Sequence, residues 1–157
     1  MKIRRAEKKD MAAVIELLEE VLEVHAKIRP DIFIPGTTKY TEGELLQIFA
    51  DDNRPVFVAV NDKDEVLGYA FCEYRKQPFS NNMIPFTSLF IDDLCVNEKA
   101  RGQKIGEALI NYVKETAKAK GCYEVTLNVW EGNDSARGFY DHAGFKVKES
   151  QMEFILK

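Results

Sequence analysis

Arg101-Gly102-Gln103-Lys104-Ile105-Gly106 is the stretch of this 157-residue chain whose residue types best suit an anion. It lies where a strand-like run ending at Val96 gives way, through a charged turn, to a run with helical periodicity. The first N–H groups of a helix lack intrahelical partners and carry partial positive charge, so they attract phosphate-like groups. Gly102 and Gly106 keep Cβ atoms away from such a group, and Lys99, Arg101 and Lys104 reverse the local charge of an acidic protein. The segment is neither a G-x-x-x-x-G-K-[ST] loop nor a G-x-G-x-x-G fingerprint. On spacing alone, an ordinary strand–turn–helix junction with solvated lysines would look the same.

Other groups can move protons. Asp92 and Asp93 adjoin within the strand-like residues 86–96. Alternation in a strand sends successive side chains to opposite faces, so only one of the two is expected in any one cleft. A solvated irregularity in the strand is the plainer reading of the pair. Tyr140 follows Phe139 on an apolar helix face, where it is either a core residue or a phenol able to protonate a leaving anion. Cys95 reads as a packed thiol rather than a nucleophile. His25 reads as structural and His142 as exposed, and neither belongs to a Ser–His–Asp or Cys–His pattern.

A series of short elements must position these groups. Residues 2–6 read as a strand. Asp10 can cap a helix on which Val14, Leu17, Leu18, Val21 and Leu22 share one face, fading near His25. Residues 28–39, with Pro30, Pro35 and Gly36, read as an irregular loop. Thr41 and Glu44 have capping-box spacing and open a short helix through Ile48 and Phe49. Residues 56–60 and 66–74 form an antiparallel hairpin, and 86–96 a long strand. Ile105, Ala108, Leu109, Tyr112, Val113 and Ala117 mark one face of a long helix that Gly121 ends. Residues 123–129 alternate as a strand. Asn133 or Asp134 then caps a helix carrying Ala136, Phe139, Tyr140 and Ala143, which Gly144 stops. Residues 145–147 and 152–156 are predicted as a closing strand pair. The order β-α-α-β-β-β-α-β-α-β-β, with no repeat or linker, implies one α+β domain over residues 1–157.

Composition narrows the function classes. A hydrophobic content of 45% supplies a core without disulfides or metals. The formal charge of −4 argues against a general nucleic-acid binder and fits a cationic substrate weakly. Cys72, Cys95 and Cys122 are odd in number and have no C-x-x-C spacing, so no zinc or redox motif is expected and free thiols point to a reducing compartment. The charged N-terminus MKIRRAEKKD is followed by no apolar h-region, so no signal peptide is expected, and the longest apolar runs are too short to span a bilayer. The expectation is a soluble cytoplasmic protein with no membrane, nucleic-acid or metal partner.

Residues 101–106 resemble the coenzyme A loop of the GNAT N-acetyltransferase superfamily, [QR]-x-x-G-x-[GA], with Arg101 first, Gly106 last and Lys104 in place of the fourth-position glycine. The stretch NDSARGFYDHAGF, residues 133–145, is similar to that family's second signature, N-x-x-A-x-x-F-Y followed by G-F. The resemblance covers nearly the whole chain. It implies the GNAT fold, a mixed and mostly antiparallel sheet flanked by helices. It also implies acetyl-CoA as cosubstrate and direct transfer of acetyl to a primary amine.

Carried onto this sequence, the resemblance assigns the pyrophosphate to Arg101, Gly102, Gln103, Lys104, Ile105 and Gly106. It assigns the pantetheine arm to the backbone of Leu94, Cys95 and Val96, and further cofactor contact to Asn133 and Tyr140. Tyr140 would protonate the departing thiolate. Asp92 and Asp93 are similar to an acidic pair of polyamine acetyltransferases, which implies a small cationic amine, held by charge and deprotonated through a water. Transfer to protein or peptide amines, or acyl-CoA sensing without catalysis, are the alternatives. Dimers are common in the family, which makes a homodimer an expectation.

Overall fold

A computed structural model describes residues 1–157. Five strands form one sheet in sequence order: β1 (Lys2–Arg5), β2 (Val56–Val60), β3 (Val66–Lys76), β4 (Thr87–Val96) and β5 (Glu124–Leu127). All neighbours are antiparallel except β4 and β5, which run parallel. The helices are α1 (Met11–Ile28), α2 (Glu42–Phe49), α3 (Ile105–Ala119) and α4 (Asp134–His142). The mixed, mostly antiparallel α+β architecture agrees with the sequence expectation.

The sheet is covered on both faces. Val14, Leu17 and Leu18 of α1 and Leu45 and Ile48 of α2 pack with Val56, Val58, Val60, Tyr69, Phe71 and Cys95. On the other face Ile105, Leu109, Ile110, Val113 and Ala117 of α3 pack with Ala59, Ala70, Leu89 and Ile91. This explains why β2 is buried at every residue and reads as an unbroken apolar run.

Local signals set several boundaries. Thr41 Oγ1 accepts the Glu44 N–H at 3.2 Å while Glu44 Oε1 accepts the Thr41 N–H at 2.9 Å, closing the expected capping box of α2. Helix α1 runs past His25 to Ile28 and stops before Pro30. Asp10, expected to cap α1, makes no cap hydrogen bond to it. Its carboxylate instead accepts both Arg4 guanidinium nitrogens, at 2.8 and 2.9 Å, and the Glu7 N–H at 2.8 Å. A buried carboxylate is better satisfied by that two-pronged partner than by one helix N–H.

The expected closing strands, residues 145–147 and 152–156, do not form. Phe145 is drawn to α4, where its N–H bonds the Tyr140 carbonyl at 3.0 Å and its ring meets Tyr140 edge-on. The alternating pattern of residues 152–156 is present, but a strand needs a ladder partner, and this segment has none within the chain.

Candidate active site

The candidate site begins where β4 and β5 part. Their pairing covers only Ser88–Ile91 against Glu124–Leu127 in register. From Asp92 onward β4 is paired on its β3 side alone, with Ala70, Tyr69 and Gly68 opposite Leu94, Cys95 and Val96. The other edge of Leu94, Cys95 and Val96 presents its backbone groups to whatever enters the gap. That edge fits an amide-bearing chain, which can pair with it as an added strand would.

A bulge aims the acids. Phe71 is opposite Asp93 and Cys72 opposite Ile91, so Asp92 is a surplus residue in β4. Ile91 and Leu94 both pack on the α3 face. Asp92 and Asp93 therefore project together to the α1 and α2 face. The expectation that only one could reach a cleft is corrected, because the bulge suspends strand alternation at this point.

The two carboxylates sit in different surroundings. Asp92 Oδ2 accepts Lys39 Nζ at 2.7 Å and the Tyr40 hydroxyl at 3.2 Å. Burial works against the Lys39 charge, but Asp92 outweighs it and the ammonium pKa is raised. Asp93 Oδ2 accepts the hydroxyl of the fully buried Tyr69 at 2.7 Å. Burial pushes the Asp93 carboxyl up to about 6, against the Tyr69 hydrogen bond and the Lys39 charge, which favour ionisation. Asp93 is thus poised to exchange a proton near neutrality, whereas Asp92 holds a cation.

Tyr140 lies on α4, its ring edge-on to Phe139 and Phe145 at centroid distances of 5.1 and 5.7 Å. Burial, then the nearby Asp93 carboxylate and Cys95 thiol, raise its pKa, so the phenol stays protonated and able to donate. Tyr140 packs on the α3-side core, as Leu94 and Val96 of β4 do. The Cys95 thiol is buried on Leu17 and pushed up to about 12 by that burial, which makes it a packed thiol and a poor nucleophile.

The loop between β4 and α3 holds a short 3₁₀ turn, Glu98–Ala100, and then residues 101–104. Gly102 has φ +84°, and the direction its Cβ would take is open space. Lys104 is the residue before α3 and has φ 60°, left-handed backbone that glycine adopts without strain. This is the physical reason a glycine suits that position. Gly106 serves packing: a Cβ there would lie 3.1 Å from the Phe139 ring. It thereby seats α4, and with it Tyr140, against α3. Arg101, Gln103 and Lys104 are exposed around the α3 N-terminus, and Ile105 is buried beneath it. The open backbone at Gly102, the free β4 edge and the helix terminus together fit a pyrophosphate joined to a chain of amides.

Asn133 caps α4, its side-chain oxygen accepting the Ala136 N–H at 3.3 Å, which leaves its NH₂ as the group able to reach a ligand. The loop after α1 reaches Asp92 through Lys39 and Tyr40 and packs elsewhere on α1 and Trp130. Phe33 packs on His25 and edge-on to Trp130 at 5.2 and 5.5 Å, and the Arg29 guanidinium lies 5.7 Å from the Trp130 ring centre. The His25 ring thus lies against the loop that follows α1. Sequence reasoning did not single out Tyr69, Lys39 or Trp130. Tyr69 alternates with Phe71 as a core aromatic, and nothing local marks Lys39 as a partner of Asp92, 53 residues away.

The Acetyltransferase (GNAT) family model matches residues 18–145 of the chain. The glucosamine 6-phosphate N-acetyltransferase of Trypanosoma brucei brucei is 36% identical over 66 residues, 42% of this chain and 43% of that protein. The peptidyl-lysine N-acetyltransferase YjaB of Salmonella typhimurium is 32% identical over 106 residues, 66% of this chain and 60% of that protein. These matches span between two fifths and three fifths of the curated relatives' lengths. A mutant of the BH1408 protein of Bacillus halodurans has a crystal structure that superposes with a TM-score of 0.94 at 28% identity, covering 100% of both chains.

Proposed function

Because the chain belongs to the acetyltransferase (GNAT) family, we propose that residues 1–157 form one catalytic domain that transfers acetyl from acetyl-CoA to a primary amine, specifically a small cationic amine. The observation that carries this reading is the bulge that turns Asp92 and Asp93 to one face, with an ammonium, that of Lys39, already seated on Asp92. An incoming ammonium group takes the place of Lys39.

Acetyl-CoA, when bound, supplies an acetyl group activated as a thioester. Arg101, Gly102, Gln103, Lys104, Ile105 and Gly106 hold its pyrophosphate by helix N–H groups and local charge. Leu94, Cys95 and Val96 pair with its amide arm, and Asn133 adds a side-chain NH₂. Asp92 binds the acceptor as an ammonium. Asp93 accepts the ammonium proton through a water, a transfer its raised pKa favours. Tyr140 would give its hydroxyl proton to the sulfur as the carbon–sulfur bond breaks and the acceptor nitrogen bonds the acetyl carbon, and the second proton shed by that nitrogen would restore the phenol.

Release of free thiol from acetyl-CoA, measured against polyamines, amino acids, aminoglycosides and lysine peptides, tests the reading. Turnover is expected on at least one cationic amine. Tight CoA binding with no turnover on any amine would replace the enzyme by a sensor. Tyr140→Phe should lower kcat by about 100-fold with the KM for acetyl-CoA nearly unchanged, the signature of a lost proton donor. An unchanged kcat removes Tyr140 from the chemistry.

A second reading has its own observation. The cation on Asp92 is a lysine side chain, so a peptidyl-lysine acceptor, as the name of the Salmonella relative states for that protein, would present the same group. The amine panel separates the two. We further propose a cytoplasmic homodimer; no helix is long and apolar enough to cross a membrane.

A further inference from the structure

One lysine of the chain stands where the acceptor amine is expected. Lys39 Nζ donates to Asp92 Oδ2 at 2.7 Å, just before the stretch of β4 whose outer edge is free. Its side chain is 45% exposed, so its amine is open to a second reactant. The span that carries it is held at both ends. The Gly36 N–H donates to Glu23 Oε1 of α1 at 2.7 Å, and Thr41 begins the capping box of α2. Only residues 37–40 lie between these anchors. The Tyr40 hydroxyl donates to the same Asp92 oxygen at 3.2 Å, and Lys39 Nζ lies 5.4 Å from the centre of the Tyr40 ring. A group tethered in this way meets its partner without the entropy cost of a second molecule.

An ion pair alone does not give a lysine this place. Lys148 Nζ is equally close to a carboxylate, at 2.7 Å from Glu124 Oε2. That pair sits at the start of β5, where Glu124 is still in register with Ser88 and the strands have not parted. Lys39 is seated at the bulge, beside both Asp92 and Asp93.

We propose that Lys39 is itself an acceptor: with acetyl-CoA bound and no free amine present, the protein acetylates its own Lys39 Nζ. This rests on the acetyl transfer proposed above and extends it to an amine of the chain. Asp93 takes one proton of the ammonium through a water. The freed lone pair on nitrogen bonds the acetyl carbon as the carbon–sulfur bond breaks, and the sulfur leaves with that bond's electrons. Tyr140 protonates the sulfur to the CoA thiol, and the second proton shed by nitrogen restores the phenol. One ammonium and one thioester thus give one amide, one thiol and, from Asp93, one proton. The amide carries no charge, so Lys39 no longer pairs with Asp92. Asp92 is then free for the ammonium of an incoming substrate.

The 157-residue chain incubated with acetyl-CoA alone, then read by intact mass and peptide mapping, tests this. One added acetyl group is expected, on Lys39, with Lys148 unmodified. Its rate should not change on about tenfold dilution of the protein, as a reaction within one chain requires. Tyr140→Phe should slow it by about 100-fold, and Lys39→Arg should abolish it, because a guanidinium stays protonated. The acetylated protein should show a KM for a cationic amine about fivefold lower than protein assayed before modification. Acetyl groups scattered over exposed lysines, at a rate that Tyr140→Phe leaves unchanged, are uncatalysed chemistry and overturn the inference. A Lys39 rate that rises with protein concentration overturns it as well. Should Tyr140→Phe fail to fold, the dilution series and the comparison with Lys148 decide on the natural sequence. Thiol release on a free amine with Lys39 unmodified overturns the inference and leaves the proposed function standing. Failure of every amine, Lys39 included, removes both.

Discussion

Asp93 and Lys39 carry the most informative single-residue tests. In the folded protein the Asp93 carboxyl is raised by burial to about 6, above its ordinary value of 3.8. The folded state therefore holds this proton more tightly than the unfolded chain. Asp93 makes stability fall as pH rises from about 4 to about 6, the cost persisting above that window. Asp93→Asn removes that cost while keeping an acceptor for the Tyr69 hydroxyl. Its Tm should exceed that of the natural protein at pH 8, and the difference should vanish near pH 4. The same substitution should lower kcat and abolish the activity limb near pH 6. A stability gain with unchanged kinetics would make Asp93 structural. Lys39 competes with the acceptor for Asp92 in the proposed reaction. Lys39→Met should reduce the KM for a cationic amine by about fivefold, the worth of a half-exposed ion pair of ~1 kcal/mol. A raised KM would instead make Lys39 part of the binding surface.

Among the elements, the junction between β4 and α3 shows what a sequence can and cannot disclose. The periodicity of α3 is local and identified Ile105, Leu109, Val113 and Ala117, all buried, although Tyr112 of the expected face is exposed and Ile110, outside it, is buried. The capping box at Thr41 was legible for the same reason. The bulge was not, because it exists only in the register between β4 and β3, which no spacing within β4 reveals. Nor was the division of labour between the glycines, since Gly106 is required by Phe139, 33 positions away. Lys104 adds a prediction at this scale. A non-glycine residue at φ 60° is strained, while glycine would lose more chain entropy on folding. Lys104→Gly should give a net gain of about 0.5–1 kcal/mol and raise Tm by about 2 °C in thermal melts. A fall in Tm would mean the lysine side chain contributes more than the strain costs.

For the molecule as a whole, the strands that the pattern identified correctly are those with a sheet neighbour in the chain, β1 to β5, and the long helices those with a core face, α1 and α3. The expected closing strands failed because residues 152–156 have no ladder partner within the chain. The two-faced sheet is held by α1 and α2 on one side and α3 on the other. The proposed chemistry occupies the seam where β4 leaves β5, and there scaffold and site share residues, Tyr69 and Cys95 on one face and Ile105 on the other. The bulge nonetheless adds its acid without disturbing the alternation of the strand around it. Ile91 and Leu94 face the same layer with two residues between them, so β4 would alternate without a fault if Asp92 were absent. In genetic terms Asp92 is a one-codon insertion that leaves both faces of the strand in frame. Deleting that codon should yield a protein that melts as cooperatively as the original and still binds CoA, but no longer captures a cationic acceptor. The capacity to choose an amine would then be separable from the fold by a single in-frame deletion.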